Sequence, residues 1–381
     1  MLGFFKTKTE PLAGLMTTAE AQKKAGAPKF HVLTVAEVKA ETADSVSVSF
    51  AVKPEQRDLF RFRAGQYLTL KTVINGEEIR RSYSLCTSPK SGMLRVAIKR
   101  VENGIFSTWA TQSLQKGDAL EVMPPMGNFV FDPNPERRAH YVGFAAGSGI
   151  TPILSLLTTV MESEPNSTFA LYYGNRATGT ILFKNALEDL KDQYLGRLEV
   201  HHVLSREDQG AESLKGRIDG ERVKTFAARF PALREAQAVY LCGPEPMIHE
   251  VSAALVEEGI AQSKIHFELF TASTPILPTQ EKAKSTPGVR TQTTIILDHE
   301  ETHFDMSSKE FILDAALDAG ADVPYACKGA VCCTCRAKVL EGEVEMAMNY
   351  SLTDQELADG YVLTCQAMPR SPKVVVSYDE N

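Results

Sequence analysis

The chain contains 381 residues, of which 43% are apolar and 23% are charged, and its formal net charge at pH 7 is −7. A single hydrophobic core rarely grows to this length, so about two or three domains are expected. The negative charge argues against nucleic acid or an anionic membrane as the main partner. No apolar run is long enough to span a bilayer, and seven cysteines without a secretory segment favour a cytoplasmic protein with free thiols.

Residues 1–27 form a polar extension to which no structure is assigned, and residues 28–134 form the first predicted domain. In this domain, short alternating runs separated by turn residues predict β-strands. The strands cover residues 44–52, 66–72, 78–85, 94–100 and 119–125, and one helix is predicted between residues 105 and 117. Several short strands with a single helix are typical of a small antiparallel β-barrel.

The period of the apolar pattern changes in the second predicted domain, residues 135–271. Here strands alternate with helices, which predicts βαβ units and a largely parallel sheet that binds ligands at the carboxyl ends of its strands. Residues 272–290 contain three prolines and little periodicity, so a mobile linker is expected. Residues 291–381 predict a small α+β domain of the β-grasp type.

Three cysteines, Cys327, Cys332 and Cys335, stand close together in this last domain, and Cys365 follows after a long gap. The spacing C-x4-C-x2-C with a distant fourth cysteine is typical of the ligands of a plant-type [2Fe–2S] cluster. A zinc site is an alternative, although zinc sites usually use two short cysteine pairs. Structural thiols are a second alternative. Cys333 falls outside the spacing and is interpreted as a small packed residue.

A short string at residues 81–84 (Arg-Ser-Tyr-Ser) ends one predicted strand of the barrel. An arginine can hold a pyrophosphate with its planar fork of donors, and a tyrosine ring can stack on a flavin. Alone, such a string is more often an exposed strand face. Together with residues 65–67 (Gly-Gln-Tyr) and 104–107 (Gly-Ile-Phe-Ser), it resembles the ferredoxin–NADP⁺ reductase superfamily over the barrel and the following α/β domain.

This resemblance implies a flavin site, with FAD favoured over FMN. The flavin is expected to be bound by Arg81, Ser82, Tyr83 and Ser84. The pyrophosphate is expected at the start of a helix, whose free amides attract anions, at Gly104, Phe106, Ser107 and Thr108.

A glycine-rich turn at residues 147–152 (Gly-Ser-Gly-Ile-Thr-Pro) follows a predicted strand and opens a helix. Thr151 is the expected N-cap and Pro152 the expected first helical residue. Alone, such a turn is weak evidence for a phosphate site. In the superfamily that the chain resembles, it is the nicotinamide-nucleotide loop, which implies binding by Gly147, Gly149, Thr151 and Pro152.

Later strand ends also resemble the superfamily, which implies further nucleotide contacts from Arg176, Ser205, Arg206, Cys242, Gly243 and Pro244. Because NADP-specific relatives hold the 2′-phosphate with a serine and an arginine, residues 205–206 favour NADPH over NADH. Glu268 and Phe270 are similar to the Glu-x-Tyr end of the plant members, which implies that Phe270 covers the flavin. Ser84, Cys242 and Glu268 are the catalytic residues that the resemblance implies.

The cofactor set predicts an electron-transfer enzyme. A nicotinamide gives two electrons at once, an iron–sulfur cluster takes one, and a flavin handles both regimes. The domain order resembles the reductases of bacterial oxygenases, and residues 324–346, 349–367 and 371–380 resemble the reductase family of phenylacetyl-CoA epoxidases, which act in phenylacetate degradation. The resemblance therefore implies the oxygenase component of a multicomponent monooxygenase as the partner.

Other functions stay open at this point. The same layout serves reductases of steroid or aromatic-ring hydroxylases and of hybrid-cluster proteins. A redox carrier or sensor that does not oxidise NAD(P)H is a second possibility, and a zinc-stabilised binding protein is a third. Ala330 and Cys333 depart from the family pattern, in which a glycine precedes Val331 and a small residue follows the ligand Cys332. This departure affects only the fine tuning of the cluster potential.

Overall fold

The computed structural model describes residues 27–270 and 290–380. Apart from Ala27 and Arg290, the predicted extension (1–27) and the predicted linker (272–290) lie outside the described residues. The described chain forms an antiparallel sheet, a parallel sheet, a mixed sheet and a small two-stranded sheet. Within these ranges, no helix is both long and apolar enough to cross a bilayer.

The first domain is a six-stranded antiparallel barrel with the strand order β4-β3-β6-β1-β2-β5. Its elements are β1 (His31–Thr42), β2 (Ser45–Ala51), β3 (Tyr67–Ile74), β4 (Glu77–Ser84), β5 (Leu94–Lys99), α1 (Ile105–Gln112) and β6 (Ala119–Val122). A bridge between Leu85 and Val96 joins the end of β4 to β5 and closes the sheet. Side chains alternate along each strand, so residues such as Leu68 and Leu70 of β3 fill the interior.

The second domain is a five-stranded parallel sheet with the order β11-β10-β7-β8-β9. Its elements are β7 (His140–Ala146), α2 (Ile150–Ser163), β8 (Thr168–Asn175), α3 (Lys184–Gln193), β9 (Leu198–Leu204), α4 (Gly220–Arg229), β10 (Ala238–Cys242), α5 (Glu245–Glu257) and β11 (Ile265–Glu268). Alternate strand residues face two separate cores, one covered by α2 and α3 and the other by α4 and α5. The strand order reverses between β7 and β10, and such a switch point leaves a ligand crevice at the carboxyl ends of the strands.

The third domain has a mixed sheet with the order β13-β12-β18-β14-β16 and a separate β15–β17 pair. Its elements are β12 (Arg290–Leu297), β13 (Glu300–Ser307), α6 (Ile312–Asp318), β14 (Arg336–Glu341), β15 (Val344–Met346), α7 (Asp354–Ala358), β16 (Tyr361–Leu363), β17 (Ala367–Pro369) and β18 (Lys373–Ser377). The cysteine loop lies between α6 and β14. Its buried residues belong to the same core as the sheet.

Several strands are absent from the sequence prediction. The longest is β1, which carries three charged residues in its second half and leaves most of its side chains partly or fully exposed. The second is β13, which carries three acidic residues and buries only Met306. Because both strands expose much of their length, their apolar alternation is too weak to be read from the sequence.

The third domain packs against the barrel. Ala27, which precedes β1, is buried in the core of the third domain. Lys29 forms an ion pair with Asp298 at 2.8 Å. The Arg80 guanidinium of β4 lies 4.2 Å from the centroid of the Tyr325 ring, just before the cysteine loop. The cysteine loop is therefore brought to the strand that carries the predicted flavin residues.

Candidate redox site

Three of the four predicted ligand cysteines lie in the loop between α6 and β14, and Cys365 approaches them from the segment between β16 and β17. Cys332 and Cys365 are neighbours of Cys327, and Cys365 is also a neighbour of Cys335. The backbone N–H of Gly329 donates to Cys327 Sγ at 3.2 Å. The neighbouring thiols, that of Cys332 first, hold the pKa of the Cys327 thiol below its ordinary value. Four neighbouring, mostly buried thiols with a backbone N–H aimed at one of them are the kind of ligands that a [2Fe–2S] cluster uses.

Two neighbours of these ligands explain features of the sequence. Cys333 donates its thiol to the Ser351 carbonyl at 3.1 Å, and burial raises its pKa to about 12, so it remains a packed thiol. Ala330 has a φ of +61°, in the left-handed region that glycine adopts freely. An alanine there costs about 1 kcal/mol, which accounts for the glycine in the family pattern.

The predicted flavin residues lie where β4 meets α1. The ring of Tyr83 packs against Phe106 with a centroid distance of 5.7 Å, and Phe106 packs against Trp109 at 5.6 Å. These contacts hold the start of α1 beside β4. Arg81 is exposed, and its Nη1 donates to the Arg80 carbonyl at 2.7 Å, which leaves its other donors available.

The start of α1 has a shape that lets a ligand approach its backbone closely. A Cβ on Gly104 would lie 2.5 Å from Ser107 Oγ, so the helix begins with a residue that has no side chain. Ser107 Oγ accepts a hydrogen bond from the Val101 N–H at 3.1 Å, which ties the loop to the helix. The first N–H group with an intrahelical partner is that of Thr108, which donates to the Gly104 carbonyl. The earlier amides are therefore available to a pyrophosphate.

A cavity of about 300 Å³ lies between the three domains. Its lining comes from the barrel, from the end of the second domain and from the cysteine loop: Tyr67, Arg81, Ser82, Ser84, Glu268, Leu269, Phe270, Cys327, Val331 and Cys332. The volume falls at the lower end of the range of small-molecule sites. Predicted flavin residues and two predicted cluster ligands thus share one cavity. Phe270 lines it with its side chain about one-third exposed, at 37%.

The three predicted catalytic residues come together beside this cavity. Ser84 Oγ donates to Glu268 Oε2 at 3.0 Å. Cys242 and Glu268 are register partners on the neighbouring strands β10 and β11. Burial raises the pKa of the Glu268 carboxyl to about 8, although the Ser84 hydrogen bond opposes the shift. Burial, followed by the charge of Glu268, also raises the pKa of the Cys242 thiol. Near neutral pH the site therefore holds a protonated carboxyl and a protonated thiol.

Replacing Glu268 by glutamine should remove a pH dependence of stability. The folded-state pKa of Glu268 is about 8, above the ordinary value of 4.5. In the unfolded chain this carboxyl loses its proton first, so wild-type stability should fall as the pH rises from 4.5 to 8. The loss should amount to about 2–4 kcal/mol relative to Glu268→Gln. Thermal unfolding from pH 5 to pH 9 measures this difference.

Glu207 supplies the control for this measurement. Hydrogen bonds from Thr178 lower the pKa of this exposed carboxylate, so its titration lies below the measured range. Glu207→Gln should leave the pH profile parallel to that of the wild type. If the Glu268→Gln profile were also parallel, the raised pKa of Glu268 would be wrong.

The glycine-rich turn lies at the switch point of the parallel sheet. Gly147 has a φ of +56°, and Tyr173 donates its hydroxyl to the Gly147 carbonyl at 2.9 Å. A Cβ on Gly149 would lie 2.1 Å from the Cys242 carbonyl oxygen, so the turn packs directly on the end of β10. Gly243 is similarly close to the Met247 side chain, and Pro244 precedes α5.

The predicted capping of α2 is wrong. The helix begins at Ile150, so Thr151 is its second residue and Pro152 its third. The Thr151 hydroxyl donates to the Ser148 carbonyl at 3.0 Å and does not cap the helix. The short 3₁₀ turn over Gly147–Gly149 runs straight into α2, which leaves no extended residue for a cap. Both residues nevertheless lie at the turn that faces the crevice.

The remaining predicted nucleotide residues lie at adjacent strand ends. The Ser205 N–H donates to the Asn175 carbonyl at 2.9 Å, and the Arg206 N–H donates to the Arg176 carbonyl at 2.8 Å. These bonds bring Arg176 and Arg206 side by side, and both are exposed. The sequence prediction missed Tyr173 as a support for the glycine turn. A tyrosine in a buried strand has no local signal for such a role.

Three family models match consecutive parts of the chain. They are an oxidoreductase FAD-binding domain at residues 32–131, an oxidoreductase NAD-binding domain at residues 144–253, and a 2Fe-2S iron-sulfur cluster binding domain at residues 295–370. The predicted fold classes of the three domains and the predicted oxidoreductase function are confirmed by these matches together with the sheets described above.

Curated proteins and solved structures agree with this organisation. The chain is 44% identical to a component of the 1,2-phenylacetyl-CoA epoxidase of Escherichia coli (strain K12), over 92% of this chain and 98% of the relative. It is 33% identical to the 3-ketosteroid-9-alpha-monooxygenase ferredoxin reductase component of Rhodococcus rhodochrous, over 91% and 96%. Phthalate dioxygenase reductase superposes with a TM-score of 0.57 at 25% identity, over 94% and 99%. The chain therefore belongs to the family of oxygenase reductase components that join FAD-binding, NAD-binding and 2Fe–2S domains in one polypeptide.

Proposed function

We propose that this reductase passes electrons from NADPH to the oxygenase component of a phenylacetyl-CoA epoxidase in the cytoplasm. The observation that carries the internal route is the shared cavity, which is lined by residues of the barrel, of the second domain and of the cysteine loop. When bound, the nicotinamide supplies a hydride, FAD takes up both electrons and releases them singly, and the [2Fe–2S] cluster carries one at a time. Because one cavity is lined by residues of all three domains, the electrons can pass from the nicotinamide to the cluster within one polypeptide.

The chain's own residues bind the cofactors and hold a proton. The free amides at the start of α1 are suited to the FAD pyrophosphate, and Arg81 adds a positive charge beside the cavity. Cys327, Cys332, Cys335 and Cys365 are the proposed cluster ligands. Glu268, protonated below pH 8, is fixed by Ser84 and keeps its proton at the cavity wall.

The identity of the acceptor is supported by the similarity to the Escherichia coli epoxidase component, which exceeds that to the steroid monooxygenase component. The test is reconstitution of purified reductase with the oxygenase component of a phenylacetyl-CoA epoxidase. NADPH oxidation should then depend on phenylacetyl-CoA and yield the epoxide. A reductase that supports a steroid monooxygenase instead, and not this epoxidase, would overturn the proposed acceptor while leaving the internal electron route intact.

The preference for NADPH rests on the paired arginines at the ends of β8 and β9. The neighbouring Glu207 carboxylate accepts hydrogen bonds from the Thr178 N–H and hydroxyl, each at 2.7 Å, so it is held toward Thr178. The Arg206 side chain therefore lies exposed at the crevice, where a 2′-phosphate would supply the negative charge.

Replacing Arg206 by alanine should weaken NADPH binding selectively. A charge-assisted hydrogen bond contributes about 1.5–3 kcal/mol, so the Kd for NADPH should rise about 10- to 100-fold. The Kd for NADH, which lacks the phosphate, should change little. Arg138→Ala is the control, because this exposed arginine precedes the amino end of β7, at the opposite edge of the sheet. Equal losses for both nucleotides in Arg206→Ala would contradict the phosphate role.

A further inference from the structure

Four hydroxyl groups, three of them on buried residues, form a chain between the flavin strand and the cysteine loop. Ser82 Oγ lies 3.1 Å from Thr69 Oγ1, which lies 3.4 Å from Thr334 Oγ1. Thr334 Oγ1 lies 3.1 Å from the Tyr67 hydroxyl and donates to the Cys332 carbonyl at 3.4 Å. We call Ser82, Thr69, Thr334 and Tyr67 the hydroxyl chain. Ser82 belongs to the predicted flavin-binding string, and Thr334 lies between the predicted cluster ligands Cys332 and Cys335.

Tyr67 is held rigidly by the barrel. Its backbone exchanges hydrogen bonds with Met126 at 2.9 and 3.0 Å, and it pairs with Ser84 in the β3–β4 register. A Cβ on Gly127 would lie 3.0 Å from the Tyr67 ring, so the glycine leaves room for the ring. Tyr67, which reaches the cysteine loop, is thus fixed directly opposite Ser84, one of the three predicted catalytic residues.

On the other side, the Tyr67 ring packs on the cysteine loop itself. Tyr67 is 4% exposed and forms a small buried cluster with Ala326 and Cys332, against which Cys327 also packs. Thr334, 1% exposed, lies between Cys332 and Cys335 in the sequence. A shift of Tyr67 or Thr334 would therefore move the loop that carries these cysteines relative to the cavity.

Two other polar contacts between the barrel and the third domain lie at the rim. Arg80 pairs with Asp322 at 3.4 Å, but the Asp322 side chain is 91% exposed. Asn128 donates to the Ser351 carbonyl and to Glu356 in an exposed position. Exposed pairs of this kind contribute little in water, whereas buried, mutually polarising hydrogen bonds contribute more. The hydroxyl chain is thus better placed than these two rim contacts to fix the position of the cysteine loop.

We propose that Tyr67, through Thr334, is a positioning residue for electron transfer from the flavin to the cluster. The hydroxyl pair holds the cysteine loop at one distance and orientation from the cavity. Electron transfer between two centres slows steeply as their separation grows, so loss of this register lowers the transfer rate without altering hydride delivery to the flavin. This inference requires the flavin and the cluster of the reductase, and it does not depend on which oxygenase accepts the electrons.

The test uses the holoenzyme with two conservative variants, Tyr67→Phe and Thr334→Val, and their combination. Phenylalanine keeps the ring that packs on Cys332, and valine keeps the shape of threonine. The enzyme is mixed anaerobically with NADPH, and flavin bleaching and loss of the cluster absorption bands are followed separately. Losing one buried hydrogen bond should reduce the population of the correctly placed loop about 2- to 10-fold. Each variant should slow cluster reduction by about that factor, while flavin reduction keeps its wild-type rate. Because Thr334→Val already removes the partner of the Tyr67 hydroxyl, the double variant should be no slower than Thr334→Val alone.

A second readout does not depend on turnover. Hydrogen exchange of the backbone amides in residues 325–335 should become faster in both variants, because the loop loses an anchor. Tyr141→Phe is the matched control: its hydroxyl bonds to Glu164 at 3.0 Å inside the second domain, far from the cysteine loop in sequence. It should leave both cluster reduction and this exchange unchanged.

Three results would overturn the proposal. Cluster reduction at the wild-type rate in both variants would show that the hydroxyl pair sets no register. A parallel loss of flavin reduction would place Tyr67 at the flavin instead. Loss of iron from Thr334→Val would assign Thr334 to cluster retention. Failure of the proposed epoxidase partnership would leave all of these measurements unaffected, since no acceptor protein is present.

Discussion

Cys365→Ala should produce a flavoprotein that accepts electrons from NADPH but delivers none to an oxygenase. The fourth thiol comes from a separate segment and contacts those of Cys327 and Cys335, so its loss opens the ligand set. A [2Fe–2S] cluster needs four protein ligands, and three do not retain it. We expect the cluster absorption bands and the bound iron to disappear, while anaerobic flavin bleaching by NADPH persists. Iron analysis and stopped-flow spectroscopy measure the two effects.

Cys333→Ala is the matched control for this loss. Cys333 is directly adjacent to a ligand, yet its thiol donates to the Ser351 carbonyl and points into the core. Removing it should cost about 1 kcal/mol of stability through the lost sulfur contact and leave iron content unchanged. Iron loss in Cys333→Ala with iron retained in Cys365→Ala would exchange the roles of the two residues and contradict the assigned ligand set.

Gly149→Ala should abolish tight nucleotide binding. The new Cβ would lie 2.1 Å from the Cys242 carbonyl oxygen and 2.9 Å from the Gly243 nitrogen, both of them backbone atoms that cannot rotate away. The turn must therefore shift, at a cost of about 1–3 kcal/mol in stability. The shift also moves the end of β10, where Cys242 and Gly243 lie. We expect the Kd for NADPH to rise about tenfold or more, measured by equilibrium titration.

Gly179→Ala provides a control in the same domain. A Cβ at Gly179 would have no neighbour within 4 Å, so the substitution should be neutral for stability and nucleotide affinity. If Gly149→Ala bound NADPH as tightly as Gly179→Ala, the close approach between the turn and β10 would not support the binding site.

Features of the chain that depend on local sequence could be predicted. The cysteine spacing, the glycine turn and the Arg-Ser-Tyr-Ser string are short, and each places its chemistry within a few residues. The parallel sheet was also accessible, because its strands are apolar on both faces, as residues 141–145 illustrate. These features can be recognised in the sequence without knowledge of the tertiary structure.

The contacts that organise the site could not be predicted in the same way. Ser84 and Glu268 are separated by 184 positions, and Tyr67 and Thr334 by 267. Serine, threonine and tyrosine are common on strands and loops, so no local pattern marks those that pair across domains. The raised pKa of Glu268 follows from burial, which the sequence FELF does not reveal. The capping of α2 was predicted wrongly for a similar reason, because packing of the turn on β10 sets where the helix begins.

The burial of Ala27 has a consequence for how the polypeptide is made. Its core partners begin at Ile295, about 270 residues later in the chain. At a synthesis rate of about 5–20 residues per second, those partners emerge from the ribosome tens of seconds after Ala27. The barrel and the parallel sheet can fold during that interval, whereas the segment at Ala27 and Lys29 must wait. The third domain thus closes over a residue that was made before the barrel, so its docking must follow the folding of the two earlier domains.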